Sequence, residues 1–549
     1  MGFANFACRR RAESTVTAEP PAKTRREFLV GTTGALLLAT GNAHAGYVGE
    51  GSVLATCRAG RFRGSRSNGL CVFRGIRYGQ DTRSRRFMAP LAAERNSTVV
   101  DCLNFGPASP QRSIREATSE DCLFLNVVTP GVDAGARPVM VYIHGGAYSS
   151  GSGSSPLYDG SALAERGDVV VVTLNHRLTL FGYLYLARLA PEVYPDSGNA
   201  GQLDLVLALE WIRDNIAAFG GDAKRVMVFG QSGGGAKIAT LMAMPTAAGL
   251  FHRAATMSGQ QVTASGPLNA TRRAQTFLSA LGLTENRLLE LAEMPAERLL
   301  EAAAATDPIL GSGSLYFGPV LDGRALPRHP FYPDAPPLAR HVPMIIGNTR
   351  DETRGLAGRN DPSLFALDWA ALPRRLASEM RVDIHPEQVV AAFRQRYPAY
   401  SPTDVFFAAT TAGRSWRGAL IEAELRAAQG SPAWVYQLDF PSPLEGGRWG
   451  APHTHDIPLV FGTLGAEGSL TGTGAEAETV SRRLQAAFLS LAHRGTPNHR
   501  NTVGLPTWEP YRLPRRSTLL VDVRTRMEND PRRFERELFA TVPYVQPGT

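Results

Sequence analysis

Two kinds of apolar spacing divide the chain. Residues 138–143 and 168–174 are continuous apolar, β-branched runs without polar alternation, the pattern of strands covered on both faces of a parallel sheet. Between 203 and 219 the apolar positions fall at helical spacing, Gly220-Gly221-Asp222 breaks the helix, and residues 225–229 read as another buried strand. This succession predicts the βαβ units of an α/β domain from residue 46 to about 260. Residues 263–340 and 355–430 are richer in Ala, Leu, Arg and Glu at helical spacing and predict two helical cap insertions over the sheet, with a strand at 342–346 between them. A late strand at 432–438 and a late amphipathic helix at 480–494 follow. No internal repeat or low-complexity linker interrupts residues 46–549, so they read as a single α/β domain.

The composition, 549 residues with 43% hydrophobic and 20% charged, is that of a globular protein. A net charge of +8 raises the question of a polyanion, but the basic residues are scattered singly and in pairs, so they read as a solvated arginine-rich surface and no nucleic-acid partner is expected. Only three of the 58 basic residues are lysines, Lys23, Lys224 and Lys237.

The first 45 residues read as an address. Thr24-Arg25-Arg26-Glu27-Phe28-Leu29 leads into a short apolar run ending near Ala39, and Ala43-His44-Ala45 has the small-x-small form of a cleavage site. This is the pattern of a twin-arginine signal, with the export machinery as a transient partner and a periplasmic or secreted bacterial destination. The run is too short for a stable membrane anchor. Cleavage near Ala45-Gly46 removes six basic and three acidic side chains and leaves a net charge of +5. Cys57, Cys71, Cys102 and Cys122 then remain, with three possible pairings. There is no CxxC pair and no HExxH helix, so neither a metal nor a cofactor is expected.

The chemistry centres on Gly230-Gln231-Ser232-Gly233-Gly234, a GxSxG motif directly after a predicted strand and directly before a helix. That context marks a nucleophile elbow. Any side chain at Gly230 or Gly234 is expected to collide with the neighbouring strand or helix. His144-Gly145-Gly146-Ala147-Tyr148 follows the strand ending at Ile143, and its small residues suit an oxyanion pocket built from the amides of Gly146, Ala147 and Gly233.

Several further strings resemble the type-B carboxylesterase family. Phe73-Arg74-Gly75-Ile76-Arg77-Tyr78 is similar to its early FxGIPYA stretch, and Ser119-Glu120-Asp121-Cys122-Leu123-Phe124-Leu125-Asn126-Val127 to its SEDCLxLNV signature. Asn175-His176-Arg177, Gly198-Asn199-Ala200-Gly201, Phe219-Gly220-Gly221-Asp222, Gly495-Thr496-Pro497-Asn498 and Trp508-Glu509-Pro510-Tyr511 follow in order. The resemblance implies an α/β-hydrolase fold, a mostly parallel twisted sheet flanked by helices, and a serine carboxylesterase working through an acyl-enzyme on a small-molecule ester. Lipase, amidase or polyester hydrolase activity would use the same machinery, and a non-catalytic binding protein on this fold is the alternative from another class. The family's G-x-(N/T)-x-D-E-G segment falls on residues 347–353 and implies Glu352 as the triad acid, with Asp351 as the fallback. Its HGxE(L/I)xxVF pattern, counted back from Phe461, implies His453 as the base, with His455 a pocket wall. Tyr148 and Gln231 are further pocket candidates, and the arginine-rich chain suggests a bulky or anionic ester.

The departures from the family pattern are specific. Gln231 takes its neutral option before the serine, and Gly233 replaces the usual Ala after it. Thr353 and Thr454 stand where the family has glycines after the acid and the histidine. Ser109 falls near the family's first Ω-loop cysteine, leaving Cys122 to pair with Cys102 or remain a free thiol. Lys237 occupies a usually apolar or small polar position, and is expected to pair with Asp456 in a supporting network that includes Ser258.

Overall fold

The computed structural model describes residues 51–548, apart from 113, 381, 499–503 and 547. The leader read at residues 1–45 lies outside the described residues. Among the described residues thirteen strands form one sheet: β1 (Ser52–Cys57), β2 (Gly60–Ser67), β3 (Leu70–Arg77), β4 (Val99–Asp101), β5 (Phe124–Thr129), β6 (Arg137–Ile143), β7 (Val170–Leu174), β8 (Gly221–Gln231), β9 (Arg253–Met257), β10 (Met344–Thr349), β11 (Ala433–Leu438), β12 (Ser517–Val521) and β13 (Arg526–Asn529). The order is β1-β2-β3-β5-β7-β6-β8-β9-β10-β11-β12-β13, with β4 beside β2.

The predicted buried runs are the parallel centre of this sheet. From β7 through β6, β8, β9, β10 and β11 to β12 every neighbouring pair is parallel. All five residues of β7 and all six of β10 are buried, which explains their unbroken apolar sequence. The antiparallel ends were not foreseen. β1, β2, β3 and β5 pair antiparallel, as do β5 with β7 and β12 with β13.

Helices cover the sheet on both faces, giving two apolar layers. One holds Val139, Val141, Val228, Leu205, Leu209 and Ile238; the other holds Met140, Tyr142, Phe229, Val480 and Phe488. Successive residues of a strand face opposite layers, as the period of two requires. The helical blocks predicted at 263–340 and 355–430 carry cores of their own. Phe277, Leu278, Leu291 and Leu299 pack with Leu180, Phe181 and Tyr194 in the first. Leu376, Phe393, Val405 and Phe406 pack with Phe539 in the second. Among the described residues no helix is long and apolar enough to cross a membrane.

Cys57, Cys71, Cys102 and Cys122 are all free thiols. Cys122 is buried, and the Ser109 hydroxyl beside it stands where a disulfide partner was sought. Burial pushes the Cys102 thiol up to about 12 and Cys122 higher still, so neither is a reactive thiolate at neutral pH.

Candidate active site

Parallel strands place their C-terminal ends along one edge, and the loops leaving that edge build the site. Ser232 follows β8, the His144–Tyr148 loop follows β6, Ser258 follows β9 and Glu352 follows β10. At Ser232 the strand turns directly into the helix Gly233–Leu241, with φ 56° and ψ −126°, a conformation that side-chain-bearing residues rarely adopt. The turn is held by the Ser232 amide, which donates to the Met257 carbonyl at 2.8 Å. It also requires its glycines. A Cβ on Gly234 would lie 1.9 Å from the Ile143 oxygen, and one on Gly230 would lie 2.7 Å from both the Ile143 oxygen and the Gly234 carbonyl carbon.

His453 and Glu352 are brought into contact from different chain segments. His453 Nδ1 lies 2.5 Å from Glu352 Oε2, and Oε1 accepts from the Thr349 amide at 2.9 Å and Asn348 Nδ2 at 3.1 Å. Burial opposes ionisation of Glu352, but the His453 ring, with help from the Ser258 hydroxyl and the Thr349 amide, holds its carboxyl below the usual glutamate range. The Ser258 hydroxyl lies beside the acid without a geometrically complete hydrogen bond among the described residues. Asp351 has another task. Its Oδ2 accepts from the Ala451 amide at 2.8 Å, its own amide donates to the Ala451 carbonyl at 2.9 Å, and it thereby pins the loop that carries His453.

Gln231 is buried, and its Nε2 lies 3.2 Å from His453 Nε2 and 3.4 Å from Nδ1. Sequence reading placed Gln231 on the pocket wall and missed this contact with the histidine. Thr353 also finds a reason, and nothing in the structure explains Thr454. The Thr353 hydroxyl lies 2.7 Å from Thr410 Oγ1 and 3.0 Å from Thr411 Oγ1 and donates to the Phe407 carbonyl, tying the acid to the second helical block. Thr454 sits at φ 75°, where a glycine would be unstrained.

A model of the carboxylesterase family matches residues 51–539. The chain belongs to this family. It is a carboxylic ester hydrolase with the α/β-hydrolase fold. It is 35% identical over 508 residues to the para-nitrobenzyl esterase of Bacillus subtilis, covering 88% of this chain and 98% of that one. It is 32% identical to the phenmedipham hydrolase of Pseudarthrobacter oxydans, over 85% and 94% of the two chains. A solved carboxylesterase of Geobacillus stearothermophilus superposes with a TM-score of 0.78 at 35% identity, over 88% of this chain and 99% of that one.

In this carboxylesterase two sequence expectations fail. Lys237 does not pair with Asp456. Its Nζ donates to the carbonyls of Ala147 at 2.8 Å and His144 at 3.2 Å, and the Tyr148 ring centroid lies 5.5 Å away. Asp456 instead accepts from the Tyr436 hydroxyl at 2.8 Å, and Tyr436 is on β11. Lys237 leaves the helix after β8 toward β6, whereas β11 lies three strands away on the other side, roughly 14 Å at the usual strand spacing and beyond a lysine's reach. Burial pushes the Lys237 ammonium down to about 7 and the Asp456 carboxyl up to about 6.

His455 is the second failure. It is no pocket wall: it is buried, its ring stacks on Phe440 at 6.0 Å, and neither ring nitrogen has a partner among the described residues. Burial brings it down to about 3, so it stays neutral.

The pocket beside the site has a volume of about 830 Å³ and opens against Ala147 and Tyr148 of the β6 loop. Leu300, Ala304, Leu315 and Phe317 of the first helical block give it an apolar lining, and Arg112 stands at its wall. Tyr148 is held there by its hydroxyl, which donates to Gln261 Oε1 at 2.7 Å. The amides of Gly146 and Ala147 have no acceptor among the described residues. Among the described residues there is no cluster of His, Cys, Asp or Glu arranged to hold a metal ion.

Proposed function

We propose that Ser232 is the nucleophile of this carboxylesterase, with His453 its general base and Glu352 the acid that orients the histidine. The observation that carries this reading is the buried 2.5 Å contact of His453 Nδ1 with Glu352, beside a serine held in a strained strand-to-helix turn. The contact keeps the proton on Nδ1 and leaves the lone pair on Nε2, where the Gln231 amide nitrogen lies at 3.2 Å and must yield to the serine proton. The Ser232 hydroxyl then attacks the ester carbonyl while its proton passes to His453 Nε2. The alcohol leaves with that proton, and water activated by the same histidine releases the acid from the acyl-enzyme. In this reading the amides of Gly146, Ala147 and Gly233 receive the oxyanion, each contributing about 3–4 kcal/mol of barrier lowering in such sites. Ser232→Ala is expected to abolish turnover of a para-nitrophenyl ester; retained turnover refutes the assignment.

The pocket supports a bulky ester bearing a carboxylate. A volume near 830 Å³ exceeds what a small acetate ester needs, and Arg112 bonds only to the Leu300 and Glu301 carbonyls among the described residues, with no carboxylate partner. Arg112→Gln should raise KM for a dicarboxylate monoester about tenfold and leave a neutral ester of equal size unchanged; equal effects on both would refute this. The leader supports export to the periplasm or beyond. Replacing Arg25 and Arg26 by lysines is expected to retain the protein inside the cell, and normal export of that variant would exclude the twin-arginine route.

A further inference from the structure

Two departures from the family pattern meet at one carbonyl oxygen. Lys237 is fully buried, in a chain with only three lysines among its 58 basic residues. No carboxylate pairs with it among the described residues. The histidines nearby do not compensate it, because burial, with the lysine's own charge, holds His144 and His176 neutral. A buried ammonium without a counter-ion is costly, and its donors must therefore be well used.

They go to the carbonyls of His144 and Ala147, in the loop whose Gly146 and Ala147 amides the proposed mechanism assigns to the oxyanion. Gly146 at φ 84° and Ala147 at φ 52° place that loop in left-handed backbone, which for Ala147 is strained and needs support from outside. Gly233 lies directly beneath. A Cβ there would fall 2.1 Å from the Ala147 oxygen and 2.5 Å from its Cα. The family's usual alanine would thus displace the same oxygen that Lys237 holds at 2.8 Å.

We propose that Gly233 and Lys237 are a matched pair that sets the oxyanion loop, the glycine admitting the Ala147 carbonyl and Lys237 acting as the positioning residue that clamps it. This rests on the reading of Ser232 as nucleophile. The lysine acts on the Gly146 and Ala147 amides only through the peptide units on either side, so its effect belongs to the transition state and not to ester binding.

The test uses Lys237→Met, Gly233→Ala and the double variant of the full chain, with active sites counted by phosphonate labelling carried to completion so that misfolded protein does not enter the rates. Turnover of a para-nitrophenyl ester is compared with affinity for a trifluoromethyl ketone, which forms an oxyanion adduct on the serine, and for the matching methyl ketone, which does not. Lys237→Met is expected to lower kcat by roughly 10- to 100-fold with KM nearly unchanged, and to weaken the trifluoromethyl ketone by the same factor while sparing the methyl ketone. Once alanine at 233 has displaced the carbonyl, loss of the lysine has little left to remove, so the double variant should be no worse than Gly233→Ala. Multiplicative losses, an unchanged kcat, or a change in KM alone would overturn the pairing. Should Lys237→Met fail to fold, Gly233→Ala decides: a parallel loss in kcat and trifluoromethyl ketone affinity supports the pairing, and unchanged values overturn it. Failure of the nucleophile assignment shows separately, as turnover or phosphonate labelling that survives Ser232→Ala.

Discussion

Glu352→Gln isolates the proposed acid with almost no change of shape. Three donors converge on the carboxylate: the Thr349 amide and Asn348 Nδ2 on Oε1, and His453 Nδ1 on Oε2. A glutamine offers one oxygen and one NH2 group. If its oxygen stays with Thr349 and Asn348, two donors are satisfied and the NH2 group faces His453 Nδ1. The imidazole must then accept at Nδ1 and carry its proton on Nε2, which removes the base. The flipped amide leaves two buried donors facing a third, at about 1–3 kcal/mol for each unsatisfied group, so the inactive arrangement wins. Loss of the correct tautomer costs about ten-thousand-fold in kcat, or about 5 kcal/mol of barrier. The assay is steady-state hydrolysis of a para-nitrophenyl ester, with KM expected to stay within a few-fold. Asp351→Asn is the control: it loosens the Ala451 anchor and is expected to lower kcat by no more than about tenfold. A Glu352→Gln enzyme within tenfold of the parent, or an Asp351→Asn enzyme more impaired than it, would refute the assignment of the acid.

Two further predictions concern stability. Thr454→Gly relieves a β-branched residue at φ 75° and should stabilise the fold by about 1 kcal/mol after glycine's own entropic cost, read as a higher urea midpoint; a lower midpoint would show that the threonine contacts outweigh the strain. Burial pushes the Glu422 carboxyl up to about 8, so between its unfolded value near 4.5 and pH 8 the folded protein holds a proton that the unfolded chain releases. Stability contributed by that proton is complete below pH 4.5 and is lost, on the order of 1.4 kcal/mol per pH unit, as pH rises to 8. Glu422→Gln keeps an acceptor for the Gln261 amide and should flatten this loss in unfolding midpoints measured from pH 5 to 9; an unchanged slope would place the titration elsewhere.

What could be read from the sequence follows from what is local. The central strands stood out because burial on both faces removes polar alternation, as along β7 and β10. The outer meander was missed: β1 alternates buried and exposed residues, its buried positions are only Val53 and Ala55 with Leu54 exposed between them, and β2 beside it is rich in Arg, Gly and Ser. The elbow was readable because its glycines answer to contacts within one strand–turn–helix unit. Many of the other family strings are clasps without direct chemistry. Glu120 pairs with buried Arg86, which also reaches the Leu291 and Ala292 carbonyls, and Arg177 pairs with Asp204.

The errors share a cause. Helical position placed Lys237 near the nucleophile but not the direction of its side chain, and the choice between β6 and β11 depends on sheet order, which local spacing does not encode. The departures from the family pattern were likewise visible one at a time, while their explanations are pairs in space. Ser109 stands against Cys122, Thr353 against Thr410 and Thr411, and Gly233 against the carbonyl that Lys237 holds. A single unusual residue in this enzyme therefore says little until its neighbour is known, as at Gly233, where the family's alanine should cost no more in the Lys237→Met background than it does alone.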